Sequence, residues 1–304
     1  MEQNATLTKD KKGAINVSTF SQKIHSYLKH PFSLLVWIIT ILAALLTAAS
    51  FVYLVLYILI KGVPYLRPEL FSWTYDSNNV SMLPSIINTF LLTALSLVIS
   101  VPLGIFAAIY MVEYAKKGNR IVKFIRVTAE TLSGIPSIVY GLFGMIFFVG
   151  VLKMQLSLLS GSLTVAIMVL PTIMRTTEEA LLSVPQSYRE GSFGLGAGKL
   201  RTVFRIVLPS AVPGILSGVI LATGRIVGET AALIYTAGTM AKVPNNLFAS
   251  ARTLSVHMYL LSNEGLHTNE AFATAVVLLV FAMLINMLAN FVARRLSAKN
   301  AEND

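Results

Sequence analysis

The sequence predicts an all-α membrane protein of six transmembrane helices, with both termini in the cytoplasm. Three observations lead there. Of 304 residues, 55% are hydrophobic and 12% charged, against the roughly 25% charge usual in soluble domains. Six apolar runs approach or exceed the roughly 20 residues that cross a bilayer as helix. Lysine and arginine then favour one side of these runs.

The first run, 32–60, follows a polar tail, 1–30, and is too long and too far into the chain for a cleaved leader. It reads as a retained anchor. Runs 83–112, 131–152, 156–174 and 207–236 interleave apolar residues with Gly, Ser, Thr and Pro, as closely packed membrane helices do. The last run, 271–293, is apolar nearly all round like the first, so spans one and six face lipid and spans two to five form the inner bundle. A single membrane domain is expected over 31–296, with 297–304 as a C-terminal tail.

A net charge of +10 does not imply nucleic acid here, because loop placement accounts for it. Eighteen of the 24 Lys and Arg lie in the N-terminal tail, in 116–126, in 175–205 and after span six, from 294 onward. Only Lys61, Arg67, Lys153, Lys242 and Arg252 lie on the opposite side. The positive-inside bias therefore puts both tails and the 175–205 loop in the cytoplasm. Zero cysteines exclude disulfides and thiolate metal sites. No metal-binding or Ser-His-Asp arrangement is evident, so neither a metal nor intrinsic catalysis is expected.

Three polar features in the spans stand out. SGIPSIVYGLFG, 133–144, places Pro136 near the start of span three, where a missing N–H leaves a carbonyl to be met by a neighbour or by a water-lined path. GRIVGETAAL, 224–233, carries Arg225 and Glu229 inside an apolar run, with Gly224 and Gly228 as a small-xxx-small pair suited to close packing. Asn88 and Asn286 read as interhelical hydrogen-bonding groups. Between spans, Phe71, Trp73 and Tyr75 alternate in a pattern that suits an interfacial aromatic belt or an external docking surface. His257 and His267 have no carboxylate arranged with them and read as solvated loop residues, near an amphipathic piece from Leu247 to Leu261.

FGLGAGKL, 193–200, looks like a phosphate-binding loop but puts Phe193 and Leu200 where that pattern needs Gly and Ser or Thr. The chain binds no ATP by that route. Gln186–Phe193 reads instead as a short helix after Pro185. Gly194, Gly196 and Gly198 let the chain turn through positive φ, and helix resumes at Leu200–Val207 into span five.

In full, EGSFGLGAGKLRTVFRIVLP, 190–209, is Glu190 with two small residues, three more, Gly196, nine more, Ile206, one more, then Leu208-Pro209. That spacing resembles the EAA loop of ABC-importer permeases, with Gly191 and Ser192 at the alanine positions. SGIPSIVYGLFG and GRIVGETAAL resemble the phosphate-transport permeases, and the Ala-Ala after Glu-Thr is nearer the PstA-type subunit than the PstC-type. The resemblance runs from span one to the C-terminal tail. It implies the type I ABC-importer permease fold in the bacterial cytoplasmic (inner) membrane. It also implies a homologous PstC-type partner, an ATPase dimer that binds ATP and Mg, and an external phosphate-binding protein delivering inorganic phosphate. The chain would then be a transporter subunit, not an enzyme, with no cofactor of its own. Within the loop at about 185–206, Arg189, Glu190, Gly191, Ser192 and Gly196 are expected to couple to the ATPase.

On an ideal helix Arg225 and Glu229 are one turn apart and pair side to side, which lowers a burial cost of about 2.5–3.5 kcal/mol each. Ionisable groups in a span usually face the bundle interior or a water-filled path. A guanidinium fork suits a phosphate oxyanion. Arg225 is therefore expected to line the path with Glu229 as its restraint, accompanied by Thr230 and Ser137, on backbone shaped by Gly134, Pro136, Gly224 and Gly228. Competing readings are a permease for molybdate or sulfate, a PstC-type subunit, or an ion-driven secondary transporter. The last leaves the EAA spacing unexplained and calls for inverted repeats that the sequence does not show.

Overall fold

A computed structural model describes residues 31–116 and 118–301; the expected N-terminal tail, 1–30, and residues 302–304 lie outside the described residues. The chain divides into two compact units, Met1–Tyr57 and Ile58–Asp304. The described part of the first belongs to one helix, α1 (Pro31–Gly62), whose side chains there are almost all exposed. That exposure of Leu, Ile, Phe and Val is what a lipid-facing span requires.

The second unit continues with α2 (Leu83–Ile109), α3 (Arg120–Ser133), α4 (Ser137–Gly144), α5 (Leu158–Ser183) and α6 (Gln186–Gly194). It ends with α7 (Lys199–Thr202), α8 (Leu208–Val227), α9 (Ala231–Thr236), α10 (Leu254–Glu264) and α11 (Thr268–Ala301). Wider π-helical turns prolong α2 through Tyr114, α4 through Val151 and α7 into α8. Among the described residues five helices are long and apolar enough to cross a membrane, and α3 with α4 makes a sixth crossing if that bent pair counts as one.

Helix α5 is the centre of this unit. In its most apolar window 67% of residues are buried, and it packs against both α2 and α8. Small residues permit the approach: a Cβ on Gly104 of α2 would stand 2.8 Å from Ile173 of α5. The inner bundle is therefore α2, α4, α5 and α8 with α9, as the composition of spans two to five indicates. Span four reaches farther than expected, to Ser183, where Val184 turns extended before Pro185. At the other terminus α11 runs through Ala301, so residues 297–301 of the expected tail are helical.

Two expected spans are broken. Span three does not begin at 131. Instead α3 starts at Arg120 with Asn119 as its cap, carries Arg120, Lys123, Arg126 and Glu130, and meets α4 at 105°. Pro136 supplies no N–H and disfavours helical backbone at Ile135, so the break is local chemistry rather than a mild kink. Span five stops at Val227 and restarts at Ala231, with Gly228 ending α8.

Candidate functional site

The two breaks meet. A Cβ on Gly141 of α4 would lie 2.8 Å from Ala232 Cα and 3.2 Å from the carbonyl oxygens of Ala231 and Ala232, so the second halves of both broken spans touch backbone to backbone. Tyr140, buried beside Gly141, donates its hydroxyl to the Leu132 carbonyl at 2.8 Å and so bridges the first break. Gly134 and Pro136 are exposed and Ser137 half-buried at the start of α4. The carbonyls and amides near such a break need neighbours or water, as in a path-lining segment.

Arg225 lies in the last turn of α8, exposed, near enough for its charge to act on the Tyr140 phenol. Among the described residues it makes no ion pair, and the expected bridge to Glu229 is absent. The reason is Gly228: once the helix stops there, positions 225 and 229 no longer share a face. Glu229 is buried and turned to α9, its Oε1 accepting the Ala232 N–H at 3.0 Å. A carboxylate there satisfies an open backbone donor and complements the helix dipole. Its own carbonyl accepts from Ser255 Oγ at 2.5 Å. Thr230 is half-buried, its hydroxyl 3.4 Å from the Gly228 carbonyl. Gly224 and Gly228 pack against no other helix among the described residues and lie on the same open face as Arg225.

A second cluster gathers at the finishing end of α2. Helix α6 follows Pro185, and Gly196 at φ +82° turns the chain, while Gly198, at φ −72°, does not need that freedom. Arg189 was expected to face a partner but is turned inward. Its Nε and Nη2 donate to Glu113 Oε1 at 3.1 and 2.7 Å, Nη1 to the Val184 carbonyl and Nη2 to that of Leu181, both at 2.9 Å. Ser192 is buried too, 2.8 Å from Thr202 Oγ1. These two residues hold the knob rather than present it. Glu190, Gly191 and Gly196 remain exposed, joined by Tyr188, Phe193 and above all Leu195, 92% exposed at the tip. Leu195 was missed; its signal is an apolar residue flanked by Gly194 and Gly196 on a polar loop.

Also unforeseen is a charged pocket of about 260 Å³ between α3 and α5. There Arg126 pairs with Glu178, and Arg175 with Glu179 at 3.1 Å. The first pair ties the helix before one break to the stretch of α5 leading to α6.

At the starting end of α2, His257 is fully buried, correcting its reading as a solvated loop residue. Arg252 donates to its Nδ1 at 3.1 Å and lies 5.0 Å from the Tyr75 ring, so Tyr75 faces inward while Phe71 and Trp73 stay exposed. Burial, then the Arg252 charge, lower the His257 pKa from 6.5 to about 3, opposed by a backbone contact at Val80. Asn88 bonds loop carbonyls of Lys242 and Arg252 at 2.9 and 3.1 Å, not another helix. Asn286 Oδ1 has no partner among the described residues.

Residues 100–301 match the family described as binding-protein-dependent transport system inner membrane component. The chain belongs to that family. The permease is 34% identical over 282 residues to the probable ABC transporter permease protein YqgI of Bacillus subtilis (strain 168), covering 86% of this chain and 95% of that one. It is 35% identical over 205 residues to phosphate transport system permease protein PstA 1 of Mycobacterium tuberculosis (strain ATCC 25618 / H37Rv), covering 65% and 66%. The fold matches a bacterial alginate ABC transporter crystallised with an alginate-pentasaccharide-bound periplasmic protein, at TM-score 0.65 and 17% identity over 89% of this chain and 98% of that one. The permease is thus a multi-pass ABC-importer subunit of type I fold, not an enzyme.

Proposed function

We infer that the chain is a PstA-type permease of an ATP-driven phosphate importer in the bacterial cytoplasmic membrane, with both termini and the α6 knob on the cytoplasmic side. The observation that carries this reading is Arg225. It is a permanently charged guanidinium on an open helix face beside two broken spans, with its expected carboxylate partner engaged elsewhere. A planar fork of donors matches an oxyanion by paired hydrogen bonds. Discontinuous helices at a midplane site are the usual way transporters bring backbone dipoles to an ion. Ser137 and Thr230, at the two restart points, supply hydroxyls on either side, and Gly134, Pro136, Gly224 and Gly228 keep the backbone near the path open.

The path is completed by a homologous PstC-type permease against the open Arg225 face, and an external phosphate-binding protein loads it. An ATPase dimer, which alone binds ATP and Mg, takes the exposed knob of Glu190, Gly191, Gly196 and Leu195. Arg189 and Ser192 make that knob stiff. From Lys199 to Val227 the helix is one unbroken span of 29 residues, about 44 Å at 1.5 Å per residue, so a displacement of the knob is carried directly to Arg225. Binding at Arg225 must be weak enough for release.

The test is ATPase activity of the co-purified complex with binding protein loaded with phosphate, sulfate or molybdate. Stimulation by phosphate alone supports the reading. Stimulation by sulfate or molybdate alone replaces it with a permease for that oxyanion, and activity indifferent to all three removes the anion assignment.

A further inference from the structure

At the starting end of α2, one polar block joins Tyr75 and the first turns of α2 to the segment 239–257, remote in sequence. Its hub is Arg252, whose Nε donates to the Thr239 carbonyl at 2.7 Å while its Nη1 reaches His257 and its plane covers Tyr75. Asn88 of α2 holds the carbonyls of Lys242 and Arg252. Thr89 Oγ1 accepts the Leu254 N–H at 2.8 Å. The loop before α2, α2 itself and the segment 239–257 are therefore tied into one connected body.

That body packs Val256 into the apolar cluster of Ile226 and Leu233 on either side of the break in span five, and hydrogen-bonds to the break itself through Ser255. Ser255 Oγ lies 3.1 Å from Thr253 Oγ1 and donates to the Glu229 carbonyl at 2.5 Å, with Thr253 and Ser255 each 1% exposed. Glu229 is held three times over: its N–H by the Ile226 carbonyl at 3.1 Å, its carboxylate by Ala232, and its carbonyl by Ser255. The first two holds belong to the local chain. Only Ser255 comes from outside it.

We propose that Ser255 is a positioning residue for the anion path, acting through the Glu229 carbonyl to make the geometry of the 228–230 break depend on the Arg252–His257–Tyr75 block. This rests on the reading of Arg225 and the adjacent break as the path. With the link intact, the break changes only when the block does, so ATP turnover and anion passage stay in step. Without it, the break relaxes independently and turnover runs without cargo.

The experiment uses the complete complex in proteoliposomes and reads phosphate moved per ATP hydrolysed. Ser255→Ala deletes one oxygen and should lower that ratio at least threefold, through ATP hydrolysis in the absence of phosphate. Thr253→Val, which keeps the shape but removes the hydroxyl that orients Ser255 and caps α10, should lower it by a smaller factor. A merely structural role would reduce the amount of complex recovered and leave the ratio unchanged. Wild-type transport with an unchanged ratio in both variants overturns the proposal. A wild-type complex that moves no phosphate at all overturns the path reading beneath it.

Discussion

Arg189→Ala tests whether the coupling knob is fixed from within. The substitution removes four hydrogen bonds and leaves Glu113, whose side chain is 9% exposed, as an unpaired carboxylate, with the Leu181 and Val184 carbonyls unmet. Breaking a buried pair from one side costs about 3–5 kcal/mol, because the remaining charge is still desolvated. Glu113→Gln keeps an acceptor and should cost less. Removing both partners together, with Glu113→Leu and Arg189→Met, should cost less than the sum, with a coupling energy above about 1 kcal/mol. The assay is thermal and denaturant unfolding of the purified permease in detergent, without its ATPase. If Arg189→Ala unfolds like the wild type, Arg189 is not part of the internal frame and the argument for a stiff knob collapses.

Leu195→Asp removes no internal contact, so unfolding should change by less than about 0.5 kcal/mol while co-purified ATPase falls at least tenfold; undiminished recovery would rule out Leu195 as a contact. At Gly141 the atoms in the way are backbone and cannot swing aside, so Gly141→Val should destabilise by about 1–3 kcal/mol, read by unfolding in detergent, and a neutral result would show that α4 and α9 do not meet there. For His257 the unfolded pKa is 6.5 and the folded one about 3. The unfolded chain therefore binds the extra proton first as pH falls. Stability is flat above pH 6.5 and declines toward pH 3 by up to about 1.4 kcal/mol per unit, a slope that His257→Gln should remove.

Much of this was legible in the chain. Apolar runs gave the spans because a bilayer sets their length, and the EAA spacing gave the loop because its residues are local. What hydropathy hid were the breaks. A window across 207–236 averages over Gly228, so Arg225 and Glu229 looked like a helical pair when Gly228 ends one helix between them and the Glu229 carboxylate turns to the start of the next. Arg189 looked available because its partner, Glu113, is 76 residues away. His257 looked solvated because the groups that bury it, Tyr75 and Arg252, come from two different loops.

The most direct measurement is ATP-driven uptake of labelled phosphate by proteoliposomes bearing Arg225→Gln, Arg225→Lys or the wild type. Arg225 is exposed and makes no internal ion pair among the described residues, so all three complexes should be recovered in equal amount. The account predicts uptake lost in Arg225→Gln and reduced at least tenfold in Arg225→Lys, which keeps the charge without the fork. Wild-type uptake by Arg225→Gln would contradict it.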